Sequence, residues 1–254
     1  MIKMLNVRLD TSADSSFGIN RSSLLHGFMM DKLDPGFADD MHTQSIRPYS
    51  QNLFYDKNAG WIWQIKTLTD NAWNNIDAAL SDTETIHIRH SDTDLRIISR
   101  ELYETSFEEL FEESYFGDNY SKYTEIEFVT PTAFKSNGRY INYPDLRMFF
   151  SGLIRKYDLC SDKTSVYTET LLDELTERIT VSGYNLKSTC FHLEGVRIPA
   201  FIGRITLRTD GHTNLAHMTN MLASFGQYSG VGIKTALGMG AIKLLPQRKV
   251  YKNG

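Results

Sequence analysis

The sequence predicts an α+β fold built from two consecutive ferredoxin-like (βαββαβ) units. Three observations predict it. The chain opens on a strand pattern, with Ile2, Met4, Val7 and Leu9 as its apolar positions. Strand-like and helix-period runs then follow in the order β-α-β-β-α-β up to Arg89, and the same order recurs between Glu125 and Leu245. In each unit the two central strands are joined by a tight turn, KNAG after Asp56 in the first and Glu194–Gly195 in the second. The expected units are residues 1–120 and 121–254, each a four-stranded antiparallel sheet with two helices on one face.

Met1–Leu9 is the first strand. Arg21–Leu33 carries Leu24, Leu25, Phe28, Met29 and Leu33 at helical spacing, with Ser22 or Ser23 available as a cap. Pro35 suits the first position of a short helix through Met41. Asn52–Asp56 and Trp61–Leu68 make the first hairpin, and Asp70–Leu80 the second long helix, with Asp70 near its cap. Thr85–Arg89 is expected as the closing strand of this unit, Leu95–Tyr103 as a further strand, and EELFEE (residues 108–113) as an acidic surface loop. In the second unit Glu125–Thr130 is a strand and Pro144–Tyr157 a helix with Leu146, Phe149, Phe150, Leu153 and Ile154 on one face. Thr168–Ile179 is an inserted helix. The strands Tyr184–Leu193 and Val196–Leu207, the helix Asn214–Phe225 and the strand Gly240–Leu245 complete the order.

Composition excludes several classes. Hydrophobic residues make up 41% and charged residues 23% of the 254, values of an ordinary globular protein. No apolar run approaches the roughly 18 residues that span a bilayer. The opening MIKMLNVRLD has no secretory apolar region, and two cysteines, Cys160 and Cys190, form no disulfide framework or zinc set. The expectation is a reduced, cytoplasmic protein that meets no membrane. His87 and His90 lack the converging carboxylates or thiols of a metal site, and Trp61, Trp63 and Trp73 are expected in the core. The net charge of −4 hides an asymmetry: residues 1–127 carry 11 basic and 22 acidic side chains, residues 128–254 carry 16 and 9. A basic second half suits a polyanionic partner, and acidic loops that merely keep the chain soluble are the plainer alternative.

The densest unusual feature is FGQYSGVGIKTALGMG, in which Gly230, Gly232, Gly238 and Gly240 frame Lys234. Glycines permit positive φ and close approach, and consecutive exposed N–H groups can hold phosphate oxygens. A phosphate-binding P-loop is excluded because Ile233 stands where Gly must precede Lys. A dinucleotide fingerprint is excluded because the third Gly is missing and the segment leaves a helix to enter a strand. The alternative is a glycine-rich connection that packs under the sheet.

This G-h-G-x5-G-h-G segment (h apolar), placed after a helix and before a last strand, resembles the RAMP superfamily of CRISPR-associated proteins. Together with LLHGFMM on the first helix, DMHTQSIRPYS before the second strand and the hairpin LKSTCFHLEGVRIPAFIGRITLR, it resembles the Cas-six family, nearest to members that accompany type III systems. The resemblance covers nearly the whole chain and implies RAMP-type tandem ferredoxin-like domains that bind CRISPR repeat RNA. It implies a metal-independent endoribonuclease that needs no cofactor and leaves a 2′,3′-cyclic phosphate and a 5′-hydroxyl. Type III effector proteins are implied as transient partners, and the chain is expected as a monomer or homodimer.

Metal-free RNA cleavage needs a base on the 2′-hydroxyl, a cation on the crowded phosphate oxygens and an acid for the leaving oxygen. Imidazole suits the proton steps, with an unperturbed pKa of about 6.5. The resemblance places His42 at the family's catalytic histidine, as general base. His26 lies at the edge of the first helix's apolar stripe, as candidate acid or as a packing residue. Some members carry a Tyr near the place of Met30, which transfers no proton, so Tyr49 or His26 is left as substitute. Arg47 stands for the family's lysine as a phosphate-holding cation. Lys187, Ser188, Tyr228, Gly230, Gly232, Lys234, Gly238 and Gly240 are the candidate RNA contacts, with Tyr228 either stacking on a base or packing. The competing function is a non-catalytic RNA-binding RAMP subunit of a CRISPR interference complex, and a small-molecule enzyme on a ferredoxin-like scaffold is a third.

Overall fold

The computed structural model describes residues 1–12, 17–116 and 121–246. The expected unit boundary after residue 120 falls at a stretch outside the described residues. The first sheet takes β1 (Ile2–Asp10), β2 (Tyr49–Asp56), β3 (Gly60–Thr67), β4 (Thr85–Ile88) and β5 (Thr93–Thr105), in the order β2-β3-β1-β5-β4. Every pairing is antiparallel. The strand beside β1 is therefore β5 and not Thr85–Arg89, which corrects the expected closing strand. Length decides it. In the thirteen-residue β5 the stretch Arg96–Thr105 pairs with β1, from Ile2↔Thr105 to Asp10↔Arg96, whereas the four residues of β4 reach only Thr93–Arg96 and form a short outer edge.

Leu5, Val7 and Leu9 of β1 point into a core shared with α1 (Ser22–Lys32) and α3 (Asp70–Leu80), which contribute Leu25, Met29, Trp73, Ile76 and Leu80. Trp73 and Trp63 are buried there as expected, and Trp61 packs at its margin. Neither Ser22 nor Ser23 caps α1; Ser22 is buried and its hydroxyl contacts carbonyls. Between these helices α2 (Pro35–Thr43) begins with Pro35 at its first turn, and the Asp34 carboxylate accepts from the N–H groups of Gly36 (2.9 Å) and Phe37 (3.1 Å). In α3 the cap is Thr69, whose hydroxyl accepts from Ala72 N, while Asp70 lies in the first turn.

Residues 107–116 form a helix, α4 (Phe107–Phe116), and not the expected acidic loop. Ser106 and Glu109 make a reciprocal capping box, each side chain accepting the other's N–H at 3.0 Å, and Phe107 and Leu110 are buried. The second sheet comprises β6 (Tyr123–Thr132), β9 (Ile179–Leu193), β10 (Val196–Thr209) and β11 (Ile242–Leu244), in the order β11-β6-β10-β9. A separate small hairpin, β7 (Phe134–Ser136) with β8 (Arg139–Ile141), turns on Asn137 and Gly138, both at positive φ. The second sheet and α4 share a core with α5 (Leu146–Cys160), α6 (Leu171–Arg178) and α7 (Thr213–Ser229). Phe149, Phe150, Leu153 and Tyr157 of α5 meet Leu222 and Phe225 of α7 there.

The two halves are joined by buried polar side chains. Gln51 donates to the carbonyls of Ser22 and Ala236, both at 3.0 Å, and accepts from Trp63 Nε1 at 2.9 Å. Ser22 Oγ lies 3.1 Å from Leu237 O, and Ser50 Oγ donates to Tyr228 O at 2.7 Å. Buried amides and carbonyls need such partners, so the glycine segment docks on the first half in one register. No helix among the described residues is long and apolar enough to cross a membrane.

Candidate active site

A cleft of about 470 Å³ opens where the halves meet. Three segments line it: the α2–β2 connection Gln44–Arg47, one face of α5, and the glycine segment from Gly230 to Leu237. Its charged lining residues are Arg47, Arg155, Lys156 and Lys234, and no carboxylate of the described residues lines it. Four basic side chains around one open space, with no ion-pair partner among the described residues, suit a phosphate chain.

His42 sits in the last turn of α2 and is exposed, two residues before the lining begins at Gln44. It is a helix residue and not a loop residue. Arg47 folds back on this helix end, its Nε donating to the carbonyl of Met41 at 2.9 Å. That carbonyl is among those a helix terminus leaves without an internal partner, which is why the guanidinium settles there. The bond ties Arg47 to the residue preceding His42.

His26, on α1, is 7% exposed. Its Nε2 is 2.9 Å from the Tyr49 hydroxyl, and that hydroxyl is also 3.5 Å from Met30 Sδ. Burial, then the charges of Arg47 and His42, push the His26 pKa down to about 4. Burial pushes Tyr49 up to about 12 against the pull of Arg47. The pair is thus uncharged at neutral pH and bonded to itself, and neither member lines the cleft. Met30, which transfers no proton, meets the Tyr49 hydroxyl through its sulfur.

The expected RNA contacts divide. Gly232 and Lys234 are exposed and line the cleft. Gly230 also lines it but is buried, as are Gly238 and Gly240, which the lining does not include. A Cβ on Gly238 would stand 1.9 Å from Ser22 Oγ and one on Gly240 1.9 Å from Val231 O, at φ +109° and +72°. These two are glycines because the segment is packed against its own chain and the first half. Tyr228 is half-buried against the second core, its pKa raised by burial and then by Glu113 and Glu109. Lys187 and Ser188 are exposed on β9, the sheet's edge strand, outside the cleft. Ser188 pairs with Phe201, and Phe201 with Thr132, next to Ala133, whose carbonyl holds Ile233 N of the glycine segment. His87 is bonded to Asp94 at 2.8 Å, and no group of three potential metal ligands occurs among the described residues.

Arg155 and Lys156 were not among the expected residues. A signal for Lys156 exists: Phe149, Leu153, Lys156 and Cys160 repeat at helical spacing, so a lysine occupies a position of the buried stripe. The Lys156 ammonium donates to Ser229 O (2.5 Å) and Thr235 Oγ1 (3.1 Å).

Fold and cleft together define a tandem ferredoxin-like protein with a cationic path between its halves. A family model described as CRISPR-associated endoribonuclease Cas6 matches residues 126–242. The chain is 34% identical over 220 residues to a CRISPR-associated endoribonuclease Cas6 of Streptococcus thermophilus, covering 86% of this chain and 89% of that protein. It is 30% identical over 224 residues to one of Mycobacterium tuberculosis, covering 87% and 71%. A Cas6 protein solved as a product complex superposes with a TM-score of 0.81 at 22% identity, over 96% of this chain and all of the other. The chain belongs to the CRISPR-associated endoribonuclease Cas6 family.

Proposed function

We propose that this chain binds CRISPR repeat RNA along the cleft and cuts precursor CRISPR RNA beside His42. The observation that carries this is the carboxylate-free cationic cleft, which adjoins the end of the helix presenting an exposed imidazole. His42 takes the proton of the ribose 2′-hydroxyl, and the resulting alkoxide attacks the adjacent phosphorus. Arg47, held at Met41 O through Nε, offers its remaining N–H groups to the phosphate oxygens. The 5′-oxygen departs and takes up a proton, leaving a 2′,3′-cyclic phosphate and a 5′-hydroxyl. His26 and Tyr49 brace α1 against β2 and serve as positioning residues. Lys187, Ser188, Gly232 and Lys234 extend the RNA path from the cleft along β9. Type III effector proteins are the expected recipients of the product.

The test is cleavage of end-labelled repeat RNA by the purified chain beside His42→Ala. Loss of one proton-transfer group lowers the rate by about 10²–10⁴-fold, with RNA affinity retained. Equal rates in the two proteins would remove His42 from the chemistry. Tight binding by the wild-type chain with no cutting would favour the non-catalytic subunit.

A further inference from the structure

We infer that Lys156 binds a phosphodiester on the floor of the cleft, between α5 and the glycine segment. The inference rests on the reading of the cleft as an RNA path. Lys156 is 8% exposed yet belongs to the cleft lining. Two of its three protons are committed, to Ser229 O and Thr235 Oγ1, so the side chain is fixed before any ligand arrives. Both partners are neutral.

The groups that face it are the Arg47 guanidinium, the Lys66 amine, which burial pulls down to about 7, and the thiol of Cys160. Burial pushes Cys160 up to about 11, which makes it a neutral thiol and no counter-ion at neutral pH. No ion pair to Lys156 occurs among the described residues. Lys66, from β3 of the other half, is also buried and is bonded to the neutral amide of Asn52. A buried ammonium without a carboxylate is costly, and proteins ordinarily pair it or delete it. Here the chain holds it rigid, within the field of the Arg47 guanidinium, against an open space. Charge, rigidity and access together fit an anion that enters from the cleft. Because burial also holds Lys156 at about 8, that anion is held best below pH 8.

The experiment measures binding of repeat RNA carrying a 2′-deoxyribose at the scissile nucleotide, from about 50 to 200 mM salt, where single strands show a slope near −0.7 per phosphate neutralised. Wild type, Lys156→Met, Lys156→Gln and the exposed control Lys57→Gln are compared. Lys156→Met is expected to bind more weakly, with a slope shallower by about 0.7, and Lys57→Gln to keep the wild-type slope. A purely structural role weakens binding at every salt concentration by a like factor and leaves the slope unchanged. Lys156→Gln retains a donor for Ser229 and Thr235 and takes the place of the Met variant should that fail to fold. Wild-type binding with an unchanged slope in the Lys156 variants overturns this assignment alone. Absence of wild-type binding at the lowest salt overturns the RNA reading and the assignment with it.

Discussion

An imidazole buried against a phenol and an imidazole exposed at a helix end serve different ends in this chain. His26 is held neutral by its surroundings, and its cost appears in acid. Its folded-state pKa is about 4, against 6.5 for an exposed imidazole. Between those values the unfolded chain binds a proton that the folded chain refuses. Stability attributable to His26 is therefore whole above pH 6.5 and falls as pH is lowered toward 4. The expected loss is about 2 kcal/mol between pH 6.5 and 5, read from urea midpoints, and His26→Gln removes that dependence. A wild-type midpoint that stays flat over this range would contradict the burial of a neutral His26.

At the scale of elements, the glycine segment is the clearest case of local chemistry serving a distant partner. Its carbonyls at Ala236 and Leu237 are held by Gln51 and Ser22 of the first half. Gly238→Ala drives a methyl group into Ser22 at φ +109° and is expected to cost about 3 kcal/mol or more. Gly27→Ala, on the exposed face of α1 with open space around it, is expected to stabilise by about 0.5–1 kcal/mol. Thermal or urea unfolding of the two variants should move in opposite directions. The same segment shows what is legible in sequence. The crowding of glycines around Lys234 marks a special backbone, yet spacing alone does not separate phosphate contact from close packing, because both need positive φ. Most elements follow from period and caps, as with Pro35 behind Asp34. The missed ones carried weak local signals: the Ser106–Glu109 capping box lies within a run of acids, and Asn137–Gly138 turns strands of only three residues. The closing role of β5 was hidden because sheet order is settled by long-range pairing, not by the sequence of elements. Arg155 and Lys156 were missed because a lysine on a helix is ordinarily a solvated residue. Only its place in the stripe with Leu153 and Cys160 marks it.

For the molecule as a whole, the two halves meet along one seam, and the charge is unevenly divided along the chain. Residues 1–127 are strongly acidic and residues 128–254 basic, yet the cleft draws cations from both, Arg47 from the first and Arg155, Lys156 and Lys234 from the second. Repulsion among these cations across the seam is opposed by the neutral contacts of Gln51, Ser22 and Ser50, which fix the halves in register. A polyanion that neutralises the cleft should tighten that seam. The central claim is that protein groups alone drive attack by a ribose hydroxyl. It is tested most directly by incubating the chain with repeat RNA in excess EDTA, beside the same RNA bearing a single 2′-deoxyribose at the cut. The expected result is undiminished cleavage of the all-ribose RNA to a 2′,3′-cyclic phosphate and no cleavage of the deoxy RNA; arrest by EDTA, or cutting of the deoxy RNA, would contradict it.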